Sequence, residues 1–423
     1  MYTNLFLNAF FVIAVTLIWF MLVYQSLLFF LGHRYYTRAR RGHRLPGLPD
    51  TDLPPVSILI PCHNEERVIA NTLRGVLKLD YPAGKLQILA INDGSTDRTA
   101  EAIRSLSDDG RVTLVDIPAS RAARGKSAAL NWGLRFARHS LIAIYDADNM
   151  PEPGALRPLV EELIHDSSLG ATVGMYRVVN RYRNLLTRFL NVEGISFQWI
   201  VQAGRWMLMR FVTLPGTNYV IRKGLMESLG GFDDDALTED AELTLRVYQA
   251  GYFIKFVPTS VSWEQEPETL SVWFRQRNRW VRGSNYLVRK YARRLLHARP
   301  RRIALELLYA LSLYYIFFFA VITSDLLFFL STSGVIRITV PGPYALVWVF
   351  AFLMFVLQIV LALSCEHEDS LVNILLALAM YFTYCQMWIP LVARAFYDDF
   401  VTHRPMKWAK TERFDVGNGS PLG

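Results

Sequence analysis

Two aspartates separated by a single residue, Asp146 and Asp148, come directly after an apolar run from Leu141 to Tyr145. Carboxylates at this spacing after a strand suit Mg²⁺ or Mn²⁺, because these hard cations take oxygen ligands and bridge them to a diphosphate. A cation held there stabilises the negative charge that builds on a departing diphosphate. The pair by itself is a weak signal for such a metal site, because any acidic turn yields the same pattern.

Two more polar segments end apolar runs in the same manner. Residues 62–65 are Cys-His-Asn-Glu and follow the run 56–61, and residues 92–95 are Asn-Asp-Gly-Ser and follow the run 86–91. Such residues are also common in turns and at helix N-termini, which is the alternative explanation for any one segment. Acid-bearing segments after three strands at one sheet edge favour a binding site instead.

The apolar runs alternate with segments of helical periodicity. Strands are predicted at 56–61, 86–91, 112–117 and 141–145, and helices at 65–78, 96–106 and 127–138. Strands that alternate with helices predict a mainly parallel, doubly wound α/β sheet. Ligands of such sheets bind at the carboxyl ends of the strands, so the polar segments lie where chemistry is expected.

Four motifs in sequence order resemble those of the membrane-embedded family 2 glycosyltransferases, which include cellulose, chitin, hyaluronan and poly-N-acetylglucosamine synthases. They are Asp93 in the segment 92–95, D-x-D at 146–148, Thr-Glu-Asp at 238–240 and Q-x-x-R-W at 276–280. The resemblance covers residues 56 to about 290. It implies a GT-A type fold, which is α/β and Rossmann-like with a mostly parallel sheet, and sugar transfer from a nucleotide donor.

The resemblance implies metal-binding and catalytic roles. Asp148 is expected to be the main metal ligand, and Asp146 a second ligand or a ribose contact. Asp240 is expected to be the general base of an inverting displacement, with Glu239 beside it in the catalytic centre. A solvated acidic loop is the alternative for the other acids between Asp233 and Glu242.

Contacts to the donor nucleotide follow from the same resemblance. They are expected from Pro61, His63, Glu65, Asp93, Lys126, Asp146, Gln276 and Arg279. Asp93 would hydrogen-bond the uracil, and Asn92 departs from the commoner aspartate at its position. Lys126 lies in Gly-Lys-Ser, but this is not a P-loop, since Ser120 occupies the place of the earlier glycine.

Residues for the acceptor sugar are expected from two segments. Trp280 would stack the end of the growing polymer, and Gly216, Thr217 and Asn218 resemble the small-residue turn beside the acceptor. Both Trp280 and Arg279 lie on a predicted amphipathic helix from 270 to 291. An interfacial membrane anchor, for which Trp and Arg are common, is the alternative explanation of this helix.

The composition places part of the chain in a membrane. Of 423 residues 52% are hydrophobic and 19% charged, and the mean hydropathy is +0.20, which is too apolar for an ordinary soluble protein. Apolar runs long enough to cross a bilayer are predicted at 5–31, 303–330, 344–364 and 371–392. Basic residues at 34–41 follow the first run, so the positive-inside rule places the N-terminus outside and the catalytic domain in the cytoplasm.

The basic tail conflicts with this number of spans. Three crossings after the catalytic domain put the C-terminus outside, yet its positive charge favours the cytoplasm. Either the run from Ile303, which is interrupted by Ser324 and Asp325, is re-entrant or interfacial, or the rule is broken. A cytoplasmic tail is favoured. In the tail, Trp408, Thr411 and Arg413 resemble a gating segment that closes over bound nucleotide, with a solvated basic tail as the alternative.

Five regions are predicted along the chain. They are a transmembrane anchor at 1–32, a cytoplasmic GT-A domain at 33–268, an interfacial region with Q-x-x-R-W at 269–302, transmembrane helices at 303–393 and a tail at 394–423.

The predicted function is that of a processive, inverting β-glycosyltransferase in the plasma membrane. It would use Mg²⁺ or Mn²⁺, polymerise a UDP-sugar and pass the polysaccharide through its own spans. The expected partners are the UDP-sugar donor, the polysaccharide acceptor, the lipid bilayer and an accessory export or regulatory protein, with no nucleic acid. The alternatives are non-processive transfer to a lipid carrier or glycolipid, and a membrane scaffold with an inactive domain.

Overall fold

The computed structural model describes residues 2–40, 47–107, 110–291 and 301–405. The predicted gating residues Trp408, Thr411 and Arg413 lie outside these residues. Within them, a mixed sheet of eight strands forms the centre of the catalytic domain, in the order β3-β2-β1-β4-β7-β6-β8-β5. The strands are β1 (Val56–Cys62), β2 (Leu86–Asn92), β3 (Val112–Asp116), β4 (Leu141–Ile144), β5 (Met150–Pro151), β6 (Leu169–Val178), β7 (Tyr219–Arg222) and β8 (Phe253–Glu264).

Strands β1 to β4 form the parallel half of the sheet. β1 pairs with β2 and β4, and β2 pairs with β3, all in parallel. Every residue of β4 is buried, and so is β1 apart from Pro61, as expected for strands that helices cover on both faces. β7 runs antiparallel to β4 and β6. The predicted α/β fold with a mostly parallel sheet is confirmed.

Short helices cover the sheet and a long one borders it. They are α2 (Ile69–Leu77), α3 (Thr99–Arg104), α4 (Lys126–Leu134), α5 (Leu156–His165), α6 (Leu185–Ser196), α7 (Ala203–Met209), α8 (Lys223–Ser228), α9 (Glu239–Gln249) and α10 (Leu270–Tyr291). The spacing of buried residues in α2, at Ile69, Leu73 and Val76, is that of a helix with one face on the sheet. α10 has the bounds predicted from its amphipathic pattern.

The first helix after β1 begins later than predicted. It starts at Ile69 rather than Glu65, because the preceding residues form a loop in which Asn64 has a φ of 55°. The Asn64 side chain accepts a hydrogen bond from the backbone N–H of Thr96, 2.7 Å away. This bond holds the loops after β1 and β2 side by side at the carboxyl edge of the sheet.

Apolar helices flank the catalytic domain. They are α1 (Tyr2–Arg40), α11 (Arg301–Leu311), α12 (Phe317–Thr332), α13 (Tyr344–Cys365), α14 (Leu371–Met380) and α15 (Trp388–Phe396). In the described residues, four helical segments are long and apolar enough to cross a membrane: Leu5–Ala39, Leu313–Thr332, Tyr344–Cys365 and Leu371–Val401.

Two glycines allow α1 to pack directly on the catalytic domain. A Cβ atom at Gly204 would lie 2.3 Å from the backbone oxygen of Leu28, and one at Gly32 would lie 2.0 Å from that of Trp199. Any larger residue at either position would push α1 away from α7 and the π-helical turn before it. The first apolar helix is therefore in direct contact with the domain that follows it.

Candidate active site

One cavity collects most of the predicted site residues at the carboxyl edge of the sheet. It has a volume of about 680 Å³. Its lining includes Pro61, His63, Glu65, Asp93, Lys126, Asp146, Asp148, Gly216, Glu239, Asp240, Gln276, Arg279 and Trp280. Segments that lie far apart in the sequence thus meet around one space, as expected for ligand binding at the carboxyl ends of parallel strands.

The same cavity continues between the apolar helices. Side chains of α1, α12, α13 and the segment after α14 line it, among them Trp19, Phe317, Trp348 and Tyr381. It reaches Phe11 and Tyr344, whose rings contact each other at 5.0 Å between centroids. The catalytic edge of the sheet therefore opens into a space bounded by the apolar helices.

Lys126 lies at the centre of the polar part of the cavity. Its Nζ atom is 2.6 Å from Oδ1 of Asp146, 3.2 Å from Oε1 of Glu239 and 2.9 Å from the backbone oxygen of Gly216. Burial alone would lower the pKa of Lys126, but the carboxylates of Asp146, Glu239 and Asp240 outweigh it and raise that pKa above its ordinary value. Lys126 is therefore a fixed cation among carboxylates, where it can hold a diphosphate oxygen.

Asp240 lies in the first turn of α9, next to Glu239. Burial and the charge of Glu239 raise the pKa of Asp240 to about 7, against opposing effects of Lys126 and Arg279. Its Oδ1 atom accepts a hydrogen bond from the N–H of Ala241 at 2.8 Å. A carboxylate with a pKa near neutrality is suited to accept a proton as a general base.

The turn at residues 216–218 approaches the carboxylate closely. Gly216 has a φ of 92°, and a Cβ atom on it would lie 3.1 Å from both Asp240 Oδ2 and Lys126 Nζ. Thr217 and Asn218 are 2% and 1% exposed and do not line the cavity. The Thr217 hydroxyl accepts from the N–H of Asp146, and the Asn218 amide donates to the backbone oxygen of Met175. These two residues position the turn, and Gly216 faces the cavity.

Asp93 holds the loop that leads to Lys126. Its Oδ1 atom accepts from the N–H of Ala123 at 2.7 Å and its Oδ2 atom from that of Gly125 at 3.2 Å. The preceding Asn92 turns away and donates its amide to Oδ1 of Asp116 at 2.7 Å. An aspartate in place of Asn92 would face the carboxylate of Asp116, which explains why this sequence carries an amide there.

The loop after β1 forms the next part of the wall. His63 Nδ1 lies 2.7 Å from the backbone oxygen of Asp93, and the N–H of Glu65 donates to the hydroxyl of Thr99 at 2.7 Å. Pro61 stands in β1 itself, and its backbone lies opposite Ile91 of β2. His63 thus stands beside Asp93, and all three residues line the cavity.

Helix α10 forms another wall of the cavity. Arg279 donates through Nη1 to the backbone oxygen of Leu237 at 3.1 Å, so it lies against the turn that precedes Asp240. Gly283 permits this contact, since a Cβ atom there would lie 2.4 Å from Oγ1 of Thr238. Helix α10 therefore packs directly on the turn that leads into the Thr-Glu-Asp motif.

A buried arginine supports Trp280 from behind. The guanidinium of Arg277 lies 3.8 Å from the centroid of the Trp280 ring, and Arg277 is 1% exposed. Its Nη2 atom pairs with Glu193 Oε2 at 2.6 Å and lies 3.8 Å from Glu266 Oε2. The Trp280 ring is thus held by a cation–π contact while it lines the cavity. Sequence reasoning placed Arg277 in the motif but missed Glu193 and Glu266, which no spacing rule connects with it.

Asp233 and Glu242 do not belong to a solvated loop, because both accept hydrogen bonds from side chains of α10. Asp233 accepts from the Tyr286 hydroxyl at 2.7 Å and from Lys290 at 2.8 Å. Glu242 is fully buried and accepts from Lys290 at 2.7 Å and from the Tyr291 hydroxyl at 2.9 Å. The acid-rich segment therefore fixes α9 to α10.

The donor atoms at the sheet edge suit a hard cation. Asp146 and Asp148 provide carboxylate oxygens at the cavity wall, and Asp148 is 8% exposed. The described residues contain no cluster of three or more His, Cys, Asp or Glu side chains arranged to hold a metal. Mg²⁺ and Mn²⁺ fit such an incomplete set, because they are bound by one or two carboxylates together with water and substrate phosphates.

Comparison with known proteins identifies the family. The protein family described as "Glycosyltransferase like family 2" matches residues 54–283, and this region holds all four motifs that meet at the cavity. The chain belongs to glycosyltransferase family 2. This family 2 enzyme is 42% identical over 416 residues to the probable glycosyltransferase YdaM of Bacillus subtilis, with 96% of this chain and 98% of the relative covered.

Two further comparisons place this family 2 glycosyltransferase. It is 31% identical over 267 residues to the poly-beta-1,6-N-acetyl-D-glucosamine synthase of Staphylococcus aureus, which covers 62% of this chain and 63% of the relative. A mannosyltransferase from Pyrobaculum calidifontis, solved with GDP-Man and Mn²⁺, has a TM-score of 0.54 at 22% identity and covers 89% of this chain and 99% of that chain. The likeness to the mannosyltransferase concerns the fold alone.

Proposed function

We propose that this protein is a processive, inverting β-glycosyltransferase that polymerises a UDP-sugar and passes the polysaccharide through its own apolar helices. The observation that carries the proposal is the continuous cavity that runs from Asp240, past Trp280, to Phe11 and Tyr344. A polymer that leaves through the apolar helices needs such a path from the base to the far end of those helices. The named activity of the Staphylococcus aureus relative, a polysaccharide synthase, supports the same reading.

The chemistry follows from the positions of three side chains. Asp240, with its pKa near 7, would take the proton of the acceptor hydroxyl as that oxygen attacks the sugar. Lys126 and Arg279 are the cations that would hold the departing diphosphate. A bound Mg²⁺ or Mn²⁺ would neutralise further charge on that diphosphate.

Asp146 and Asp148 would hold that cation. The Mn²⁺ complex of the mannosyltransferase with the similar fold agrees with an oxygen-bound divalent ion. Lys126 already pairs with Asp146, so a diphosphate that engages Lys126 would leave the Asp146 carboxylate to the cation. The nucleotide donor and the cation would then each bind to the protein more tightly in the presence of the other.

The acceptor would stack on Trp280, and the cytoplasm would supply the donor. Basic residues near both membrane junctions, at 34–44 and 289–302, favour a catalytic domain on the cytoplasmic face of the plasma membrane. Aromatic residues beyond Trp280, among them Tyr314, Trp348 and Tyr381, would give the leaving polymer further flat surfaces.

Purified protein in lipid nanodiscs tests the proposal. UDP-sugars are supplied one at a time with Mn²⁺ or Mg²⁺, beginning with UDP-N-acetylglucosamine because of the relative's name. UDP release together with a long, glycosidase-sensitive product is expected. A short lipid-soluble product would contradict processivity and favour transfer to a lipid carrier, and no turnover with any nucleotide sugar would favour an inactive scaffold.

Variants of Asp240 test the assignment of the base. Asp240→Asn should abolish transfer while UDP binding stays within about two-fold, since an amide cannot take the proton. Asp235→Asn, an exposed acid of the same segment, is the matched control and should transfer normally. Residual transfer by Asp240→Asn at a tenth or more of the normal rate would contradict the role.

A further inference from the structure

Three apolar helices, α1, α12 and α13, run between the catalytic domain and an end of the helices that lies away from this domain. At the domain end, the Tyr35 hydroxyl at the end of α1 donates to the backbone oxygen of Phe256. At the opposite end, the amide of Asn8 donates to the hydroxyl of Thr339, 2.6 Å away in the connection between α12 and α13. α13 then returns to the domain, where Glu366 accepts from Arg177 at 2.9 Å.

The last apolar segment differs, because both of its ends contact the catalytic domain. Before α14, Glu368 accepts from Arg181 Nε at 2.9 Å. After α15, Asp399 accepts from Arg282 Nε at 2.7 Å and from the Asn285 amide at 2.8 Å. Arg282 and Asn285 belong to α10, which packs on the site.

The helix is also broken between its two ends. α14 has 10 residues and α15 has 9, with a 3-10 turn at Cys385–Met387 between them. At a rise of about 1.5 Å per residue, each helix covers about 15 Å, which is half of a hydrocarbon core of about 30 Å. Next to the break, Tyr384 accepts from Trp273 of α10 at 3.1 Å, and the Trp388 ring lies 6.0 Å from that of Trp273.

We propose that residues 368–405 enter and leave the membrane on the side of the catalytic domain, and that Asp399 is a positioning residue that anchors the returning end to α10. The inference rests on the membrane location in the proposed function. It reduces the crossings to those of α1, α12 and α13. Arg404, at the returning end, then lies on the same side as the catalytic domain, in agreement with the positive-inside rule.

The α10 residues that bind Asp399 follow the Q-x-x-R-W motif directly in the same helix. Asp399 is 2% exposed and Asn285 is 3% exposed, and Asn285 also accepts from the Tyr315 hydroxyl at 2.6 Å. Loss of the Asp399 carboxylate would leave two buried donors of α10 without their acceptor, which is costly. α10 would then shift and carry Trp280 with it.

Accessibility of engineered cysteines to a membrane-impermeant maleimide tests the topology. Exposed positions are chosen in the catalytic domain, in the α12–α13 connection and at the two ends of the last segment: Glu227→Cys, Ser333→Cys, Asp369→Cys and His403→Cys. Sealed vesicles of both orientations are labelled, and the unsubstituted protein supplies the background. Of the four variants, only Ser333→Cys should react with the maleimide on the membrane face opposite to the one on which Glu227→Cys reacts. Labelling of His403→Cys together with Ser333→Cys would overturn the proposal, and this result does not depend on any enzymatic activity.

Asp399→Asn tests the anchor against Asp398→Asn. Asp398 is equally buried but pairs with Arg394 of its own helix at 3.1 Å. Asp399→Asn should lower polymer formation about ten-fold or more and shorten the product, with UDP binding as in Asp398→Asn. Equal effects of the two variants on product length, or a parallel loss of UDP binding in Asp399→Asn, would overturn the positioning role.

Discussion

The Nζ atom of Lys126 lies 2.6 Å from Oδ1 of Asp146, the first carboxylate of the D-x-D motif. This pair joins the N-terminus of α4 to the end of β4, and the same Nζ atom reaches Glu239 at the start of α9. One cation therefore connects the expected diphosphate, metal and base positions. The charge state of the site depends on it.

Replacement of Lys126 should weaken donor binding. Lys126→Gln removes a charge-assisted contact worth about 1.5–3 kcal/mol, which predicts a rise in the donor KM of about 10- to 100-fold. Initial-rate kinetics with varied nucleotide sugar measure it. Lys78→Gln, at an exposed lysine, is the control. An unchanged donor KM in Lys126→Gln would exclude the diphosphate contact.

Gly216→Ala should impair transfer far more than its size suggests. The new methyl group would sit 3.1 Å from Asp240 Oδ2 at a positive φ, which costs about 1–3 kcal/mol of strain. We expect transfer to fall at least about ten-fold, because the carboxylate must move. Gly224→Ala, where no atom lies within 4 Å of the new Cβ, should retain full activity in the same assay. Normal activity in both variants would contradict this account of the turn.

The rate should depend on the protonation of Asp240. Because its pKa is raised to about 7, the carboxylate is protonated below that pH and cannot act as a base, so kcat/KM should fall about ten-fold per pH unit on the acid side. Glu239→Gln removes the neighbouring negative charge that raises this pKa. The inflection should then move to lower pH in rate profiles from about pH 5.5 to about pH 8.5. If the inflection does not move in Glu239→Gln, the observed titration does not belong to Asp240.

Asp148→Asn should weaken the response to the divalent cation. An amide oxygen carries no charge, so we expect about 10- to 100-fold more Mn²⁺ to be needed for half-maximal activity. Electron paramagnetic resonance of Mn²⁺ with the protein and UDP gives a second reading that is independent of turnover. Asp235→Asn should behave as the unsubstituted protein, and equal Mn²⁺ binding by the two variants would remove Asp148 from the ligands.

Much of the site could be predicted from residue order. Alternation of apolar runs with helical segments was sufficient for the α/β fold, because burial on both faces leaves continuous apolar strands. Polar residues after β1, β2 and β4 were expected to meet, since parallel strands end at one edge. The bounds of α10 also followed from its periodicity.

Other contacts depend on long-range packing that leaves no local pattern. Glu193 and Glu266 support Arg277 from two distant elements, and Asn218 proves to be a buried structural residue rather than part of the cavity wall. Hydropathy predicts a span at 371–392, and the helical segment Leu371–Val401 is long and apolar enough for one, but apolar length does not register what the two ends contact. The sequence by itself determined the fold class and the residues that meet at the sheet edge, since these depend on local periodicity and strand direction, and its four motifs carried the resemblance to the family. Only the tertiary structure decided that Lys126 joins the carboxylates of Asp146 and Glu239, that the cavity continues between the apolar helices and that Asp399 returns to α10, because these relationships arise from packing between segments distant in the chain.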